Sequence, residues 1–160
     1  TFLALKKFKN TSLIFTMPNS DIKSDYIKNK ILEFSKKNKN SYVFKSLGSQ
    51  NYLSCMNICD VVIGNSSSGI LEAPTIRTPT INIGNRQEGR VQAKSVINSV
   101  NSFKKIYDSI KKTLSSDFKK KLKKTNNPYF KKNTALTIKT IIEKKILTKK
   151  IEPKKFYDIK

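Results

Sequence analysis

The residues best suited to chemistry form a loop of small polar side chains directly after a short apolar run. Residues 64–69 read Gly-Asn-Ser-Ser-Ser-Gly and lead into a predicted helix that opens at Ile70. At such a junction, the free backbone N–H groups of the first helical turn and the helix dipole favour an anion. Hydroxyl donors and small side chains suit a phosphate in particular. The sequence predicts a phosphate site, with a serine-capped helix as the alternative, and the candidate binding residues are Ser66, Ser67, Ser68 and Gly69.

Charged residues near this loop extend the candidate site. Glu72 comes one turn into the predicted helix, where its carboxylate suits a diol such as the ribose hydroxyls. The alternative for Glu72 is charge complementarity with the helix N-terminus. Arg86 and Arg90 flank residues 87–89 in the loop after the fourth predicted strand. Their planar guanidinium groups suit bidentate phosphate binding, and the alternative for either is a surface salt bridge.

Apolar runs alternate with helical patterns along the chain and predict the scaffold that carries these loops. Predicted strands cover residues 12–16, 41–44, 60–63, 78–83 and 96–97, and predicted helices cover residues 1–9, 21–37, 50–59, 101–114 and 134–147, besides the one from Ile70. Strands that are apolar throughout favour a parallel sheet covered on both faces. The fold class is therefore α/β, a doubly wound parallel sheet flanked by helices, with ligands at the carboxyl ends of its strands. One domain, residues 1–147, is followed by a basic tail, residues 148–160.

The chain is strongly basic, with 33 Lys and Arg residues against 11 Asp and Glu residues and a net charge of +22. Such a charge suits a nucleic acid or an anionic membrane surface as partner. Nearly all the cations are lysines, however, and they scatter over predicted helix surfaces and the tail. Base readout and bidentate phosphate contacts prefer arginine. We interpret the charge as the Lys- and Asn-rich usage of an AT-rich genome, and a basic nucleic-acid-binding module stays as the alternative.

Several other classes of protein find no support in the composition. Cys55 and Cys59 are the only cysteines, and the chain has no histidine that would complete a zinc site. We expect two buried thiols in a reducing cytoplasm. No apolar run approaches the roughly 18 residues that a membrane helix needs, and the amino end lacks the pattern of a signal peptide. Because the chain starts at Thr1 and runs straight into an apolar stretch, we expect a fragment.

Two central blocks of the chain resemble the signature of the UDP-N-acetylglucosamine 2-epimerase family. Residues 62–74 read VIGNSSSGILEAP, and residues 79–90 read PTINIGNRQEGR. This form is similar to the hydrolysing branch, whereas non-hydrolysing members carry a DSGG-type loop. Residues 15–21, 46–54 and 155–158 match further segments, so the resemblance covers nearly the whole chain. The central blocks are highly specific, and the Lys-rich region 111–150 is not.

The resemblance implies a fold and a set of binding residues. The family has two Rossmann-like domains with the active site in the cleft between them, the arrangement of GT-B glycosyltransferases, and this chain resembles the second domain. The loop of residues 64–69, the serine loop, would bind the diphosphate, and residues 47–52 match the uracil-contacting region. The remaining roles implied are ribose binding by Glu72, a contact near the phosphate and sugar by Arg86, and a loop facing the cleft at Asn19 and Asp21.

The resemblance also implies a reaction in two steps. Elimination of UDP gives a 2-acetamidoglycal, and water then adds to give an N-acetylmannosamine-type sugar, which feeds sialic-acid-like products. Phosphate donors stabilise the leaving UDP as its charge develops, and carboxylates act as acid and base. The substrate would be UDP-N-acetylglucosamine or a related UDP-diacetamido sugar. No metal or redox cofactor is needed, no nucleic acid or membrane is expected as partner, and the full-length enzymes form homo-oligomers.

One departure from the family limits what this chain would do alone. The acid–base carboxylates of the family lie in the first domain, and a histidine lies just before the point where this chain begins. We therefore expect the chain to bind UDP weakly and to turn over nothing without the first domain. Another GT-B nucleotide-sugar enzyme, such as a glycosyltransferase, stays as an alternative, although it would not keep the RQEGR continuation at residues 86–90.

Overall fold

The computed structural model describes residues 1–18 and 24–148. The chain divides into two compact units, Thr1–Pro128 and Tyr129–Lys160. The first is an α/β unit in which parallel strands are flanked by helices, the Rossmann-like arrangement that was predicted. Among the described residues, no helix is long and apolar enough to cross a membrane.

Five short strands carry the loops of interest. Strands β1 (Leu13–Thr16) and β2 (Ser41–Phe44) form one parallel pair. Strands β3 (Val62–Gly64), β4 (Thr80–Ile83) and β5 (Val96–Ser99) form a second parallel sheet in that order. Because neighbouring strands run in the same direction, the loops that leave β3, β4 and β5 start at the same edge. The five predicted strands are confirmed, with ends that shift by up to two residues.

Seven helices are present in the described residues, and their bounds are α1 Phe2–Leu5, α2 Ser24–Lys36, α3 Gly48–Ile58, α4 Ser68–Leu71, α5 Phe103–Leu114, α6 Ser116–Leu122 and α7 Thr134–Leu147. Helix α6 was not predicted as a separate element because its sequence is dominated by lysine. It is stabilised by the N-cap Ser115, whose hydroxyl accepts from the N–H group of Phe118 at 3.3 Å. Phe118 and Leu122, four residues apart, are buried on one helix face.

One hydrophobic core joins the two strand groups. Its buried members are Ala4, Leu5, Phe34, Ile81, Ile106 and Ile110. Phe15 of β1 and Ile63 of β3 both pack against this cluster. The prediction of a sheet covered on both faces is wrong for the first strand pair, since Ile14, Tyr42 and Phe44 are 42%, 53% and 41% exposed. Apolar runs alone do not reveal this, because burial of a strand face depends on the helices that reach it.

Candidate functional site

The serine loop follows β3 at the carboxyl edge of the three-stranded sheet. The helix after it is shorter than the sequence suggested, because α4 covers only Ser68–Leu71 and Glu72 is its C-cap. Pro74 accounts for this, since proline disfavours helical geometry at the residue before it. A single turn has little macrodipole, so an anion here would depend on individual donors more than on a helix dipole.

The serine side chains divide between the interior and the surface. Ser68 is only 8% exposed, and its Oγ hydrogen-bonds with Tyr52 Oη at 2.7 Å and with Ser66 Oγ at 3.1 Å. Ser66 is exposed and Ser67 is partly exposed. The side chains of Ser66 and Ser67 are therefore accessible to a ligand, whereas the side chain of Ser68 anchors the loop to Tyr52 of α3.

Backbone donors are also available in this loop. The hydrogen bonds of the turn use the N–H groups of Gly69, Ile70 and Leu71, which donate to the carbonyls of Ser66 and Ser67 at 2.8–3.3 Å. The N–H groups of Ser66 and Ser67 have no acceptor among the described residues. Two backbone donors beside two accessible hydroxyls form a compact set for an anion.

Gly69 serves close packing in this structure. A Cβ atom at this position would lie 2.5 Å from Cγ2 of Thr80, a residue of β4 that is 3% exposed. The N–H group of Gly69 is used within the turn, where it donates to Ser66 O at 3.3 Å. The absence of a side chain at Gly69 thus lets α4 lie directly on β4.

The loop after β4 is attached to the serine loop, as predicted from the parallel strand order. The connecting residue is Gln87, which is 2% exposed and donates from Nε2 to Asn65 O at 2.7 Å. Its neighbours Arg86 and Glu88 are exposed. Gln87 was not singled out from the sequence, because only the tertiary structure shows that its amide points inward.

Glu72 is exposed just beyond the serine loop. Its backbone N–H group donates to Ser68 O at 2.9 Å. Asn127 stabilises the same turn from outside, since its Nδ2 donates to Leu71 O at 2.7 Å and to Thr75 Oγ1 at 2.6 Å. The carboxylate of Glu72 is therefore carried on a fixed backbone and is accessible to solvent. Asn19 and Asp21, the remaining candidates, lie outside the described residues.

Tyr52 of α3 is a positioning residue that the sequence suggested only as part of a segment. Replacing it with phenylalanine is expected to lower the free energy of unfolding by about 1 kcal/mol, because one partner of the buried Ser68 hydroxyl is lost. Urea denaturation followed by circular dichroism measures this change. The matched control is Tyr42→Phe in β2, where the side chain is 53% exposed. Equal effects of the two substitutions would show that the hydroxyl of Tyr52 does not support the loop.

The two cysteines form a contact on α3 and its C-cap. Their Sγ atoms are 3.9 Å apart, and both residues are only partly buried, whereas two buried thiols were expected. Burial, followed by the neighbouring Cys55, raises the pKa of Cys59 to about 11. A thiol with this pKa is almost wholly protonated at neutral pH, which makes Cys59 a poor nucleophile.

Comparison with known proteins identifies the family of this chain. The family model for UDP-N-acetylglucosamine 2-epimerase matches residues 1–143. A polysialic acid biosynthesis protein P7 of Escherichia coli is 39% identical over 157 residues, which are 98% of this chain and 40% of that protein. A GDP/UDP-N,N'-diacetylbacillosamine 2-epimerase (hydrolyzing) of Campylobacter jejuni is 42% identical over 117 residues, 72% of this chain and 30% of that protein.

A third relative is more distant. The UDP-N-acetylglucosamine 2-epimerase of Neisseria meningitidis is 31% identical over 104 residues, which are 65% of this chain and 27% of that protein. The chain thus matches at most 40% of the length of these three relatives. Since the family model spans both loops of the candidate site as well as most of the fold, this chain belongs to the UDP-N-acetylglucosamine 2-epimerase family.

Proposed function

We propose that this chain is the UDP-sugar-binding half of a hydrolysing 2-epimerase. The observation that carries the proposal is the serine loop, where two accessible hydroxyls and two backbone N–H groups lie together at the carboxyl edge of a parallel sheet. Ligands of open α/β sheets bind at this edge. The Campylobacter jejuni relative is named as a hydrolyzing 2-epimerase, and the loop of this chain reads NSSSG at residues 65–69, the form assigned above to the hydrolysing branch.

The serine loop, Glu72 and Arg86 bind different groups of the UDP-sugar in the proposed complex. The loop receives the diphosphate, and the exposed carboxylate of Glu72 accepts hydrogen bonds from the ribose hydroxyls. Arg86 lies next to Gln87, which is bonded to the serine loop, and in the proposed complex its guanidinium binds the same anion. The net charge of +22 adds a general attraction for a UDP-sugar but does not orient it.

The proposed chemistry uses this half of the site to stabilise the leaving group. In the first step, the bond between C1 and the diphosphate oxygen breaks while the proton on C2 is removed, and UDP leaves with a 2-acetamidoglycal as the other product. In the second step, water adds across the C1–C2 double bond, with protonation of C2 from the opposite face. Donors aimed at the diphosphate lower the barrier of the first step, because negative charge develops on that oxygen.

A UDP titration of the whole 160-residue chain tests the proposal. We expect saturable NMR shifts at Ser66, Ser67, Glu72 and Arg86 at about 0.15 M salt, where nonspecific attraction is screened beyond a distance of roughly 8 Å. Shifts spread over the lysine-rich helices α5 and α6, fading steeply as salt rises, would instead support a polyanion-binding module. If the NMR resonances of the serine loop do not shift at a saturating concentration of UDP, the proposed diphosphate site is wrong.

A further inference from the structure

The buried side chain of Gln87 has one amide atom that is paired and one that is not. Its Nε2 donates to Asn65 O at 2.7 Å, whereas its Oε1 is buried without a hydrogen-bond partner among the described residues. A methionine of similar size would fill the same space without an unpaired buried oxygen. Packing alone therefore does not account for a glutamine at this position, and the bond from Nε2 is the feature that requires it.

The loop after β4 holds Gln87 in a fixed place. Gly84 and Gly89, at the two ends of this loop, have φ angles of 80° and 77°, which glycine adopts without strain. Between them, the N–H group of Glu88 donates to Asn85 O at 2.9 Å and closes a turn. The loop thereby directs Gln87 inward, where the residue is only 2% exposed.

The carbonyl that Gln87 binds belongs to the peptide unit between Asn65 and Ser66. This unit is planar and trans, so its N–H group points in the direction opposite to its C=O group. Because Nε2 of Gln87 holds the carbonyl of Asn65, it also fixes the direction of the N–H group of Ser66. That N–H group has no acceptor among the described residues and is one of the two backbone donors of the proposed diphosphate site.

The bond from Gln87 to Asn65 also strengthens the donor at Ser66. A hydrogen bond accepted by a carbonyl oxygen polarises its peptide unit and makes the N–H group of the same unit a better donor. A donor that is oriented before the ligand arrives loses little freedom on binding, so more of the interaction energy appears as affinity. Both effects favour an anion beside Ser66.

We propose that Gln87 is a positioning residue for the diphosphate, a role that rests on the proposed function above. Through the carbonyl of Asn65, Gln87 directs the N–H group of Ser66 at the diphosphate without touching the ligand itself. Its effect is therefore confined to the phosphate part of the nucleotide. The uridine part depends on other residues of the proposed site, Glu72 among them, and binds independently of Gln87.

The test compares UDP with uridine, which lacks the diphosphate, on the whole chain and on Gln87→Met. NMR titration at about 0.15 M salt measures both affinities. The substitution should weaken UDP binding about tenfold, the worth of one hydrogen bond to a charged group, and leave uridine binding within about twofold. The amide proton of Ser66 provides a direct readout. It should move downfield with UDP in the natural chain and much less in Gln87→Met.

Two further variants accompany Gln87→Met. Gln92→Met is the matched control, because it makes the same change at a glutamine whose amide oxygen accepts from Asn98 at 2.8 Å, and it should change neither affinity. Gln87→Asn retains a buried amide but is one methylene group shorter, so its nitrogen no longer reaches the carbonyl of Asn65. It should behave like Gln87→Met and carries the test if the methionine variant does not fold.

The outcomes separate the role of Gln87 from the proposed function. If UDP binds at the serine loop but the two substitutions of Gln87 weaken UDP and uridine equally, or weaken neither, the positioning role is wrong and the diphosphate site stands. If UDP does not shift the serine loop of the natural chain, the proposed function fails and the role of Gln87 fails with it.

Discussion

Gly69→Ala is expected to lower the free energy of unfolding by about 1–3 kcal/mol, the usual cost of overpacking a tight interior. Helix propensity alone predicts the opposite sign, since alanine is favoured over glycine in a helix by about 1 kcal/mol. The overlap decides the sign because the new Cβ would lie 2.5 Å from Thr80 Cγ2, and Thr80 is buried in β4. Urea denaturation, with the slope of the transition compared between variants, measures the change.

Thr80, the residue that the new methyl group would meet, offers a matched control for this prediction. Thr80→Ser removes Cγ2, the atom that the new methyl group would meet, and retains the hydroxyl. In the Thr80→Ser background, Gly69→Ala should therefore be neutral or mildly stabilising, and the coupling between the two positions should exceed about 1 kcal/mol. Additive effects would mean that Gly69 is required for a reason other than its contact with Thr80. The UDP affinity of Gly69→Ala is measured in the same two backgrounds. If the affinity falls in Gly69→Ala and Thr80→Ser restores it, the contact between residues 69 and 80 determines the position of the serine loop.

Glu72→Ala is expected to weaken UDP binding about tenfold or more, because a carboxylate that accepts hydrogen bonds from ribose hydroxyls is worth roughly 1.5–3 kcal/mol. Isothermal titration calorimetry on the whole chain measures the affinity. The same titration with 2′-deoxy-UDP identifies the contact, since the natural chain should bind it more weakly and Glu72→Ala should lose less for it than for UDP. Glu72→Gln retains an acceptor without the charge and should fall between the natural chain and the alanine variant.

The polyanion hypothesis predicts the opposite sign for the same substitution. Removing a carboxylate from a chain with a net charge of +22 makes it still more basic, so a purely electrostatic site would bind UDP equally or slightly more tightly. Binding of a single-stranded oligonucleotide provides the parallel measurement and should be unchanged or rise in Glu72→Ala. If Glu72→Ala raises the affinity for both UDP and the oligonucleotide, nucleotide binding depends on the basic surface and not on a ribose contact.

Local pattern was sufficient to predict the five strands, most of the helices and the family. Strand β2 and helix α7 begin and end at the predicted residues, Ser41–Phe44 and Thr134–Leu147, because a short apolar run and a long run of helix formers are each unambiguous. The two central blocks were sufficient to indicate the family, which the family model over residues 1–143 confirms. The proximity of the loops after β3 and β4 followed from parallel strand order alone.

Other features depended on contacts between distant parts of the chain. The sequence did not reveal that Ser68 turns inward to Tyr52, 16 residues earlier, while Ser66 faces solvent. Three consecutive serines are chemically identical, and only the packing of α3 against the loop distinguishes them. Gln87 is a similar case, since its bond to Asn65 spans 22 residues and depends on how the β4 loop folds back.

The sequence by itself therefore determined which residue types stand at the carboxyl edge of the sheet and in what order, because local hydrophobic pattern and family motifs carry that information. The tertiary structure alone decided which donors are free and why residue 69 is a glycine. These properties arise from strand register and side-chain packing, which join positions far apart in the chain and have no local signature.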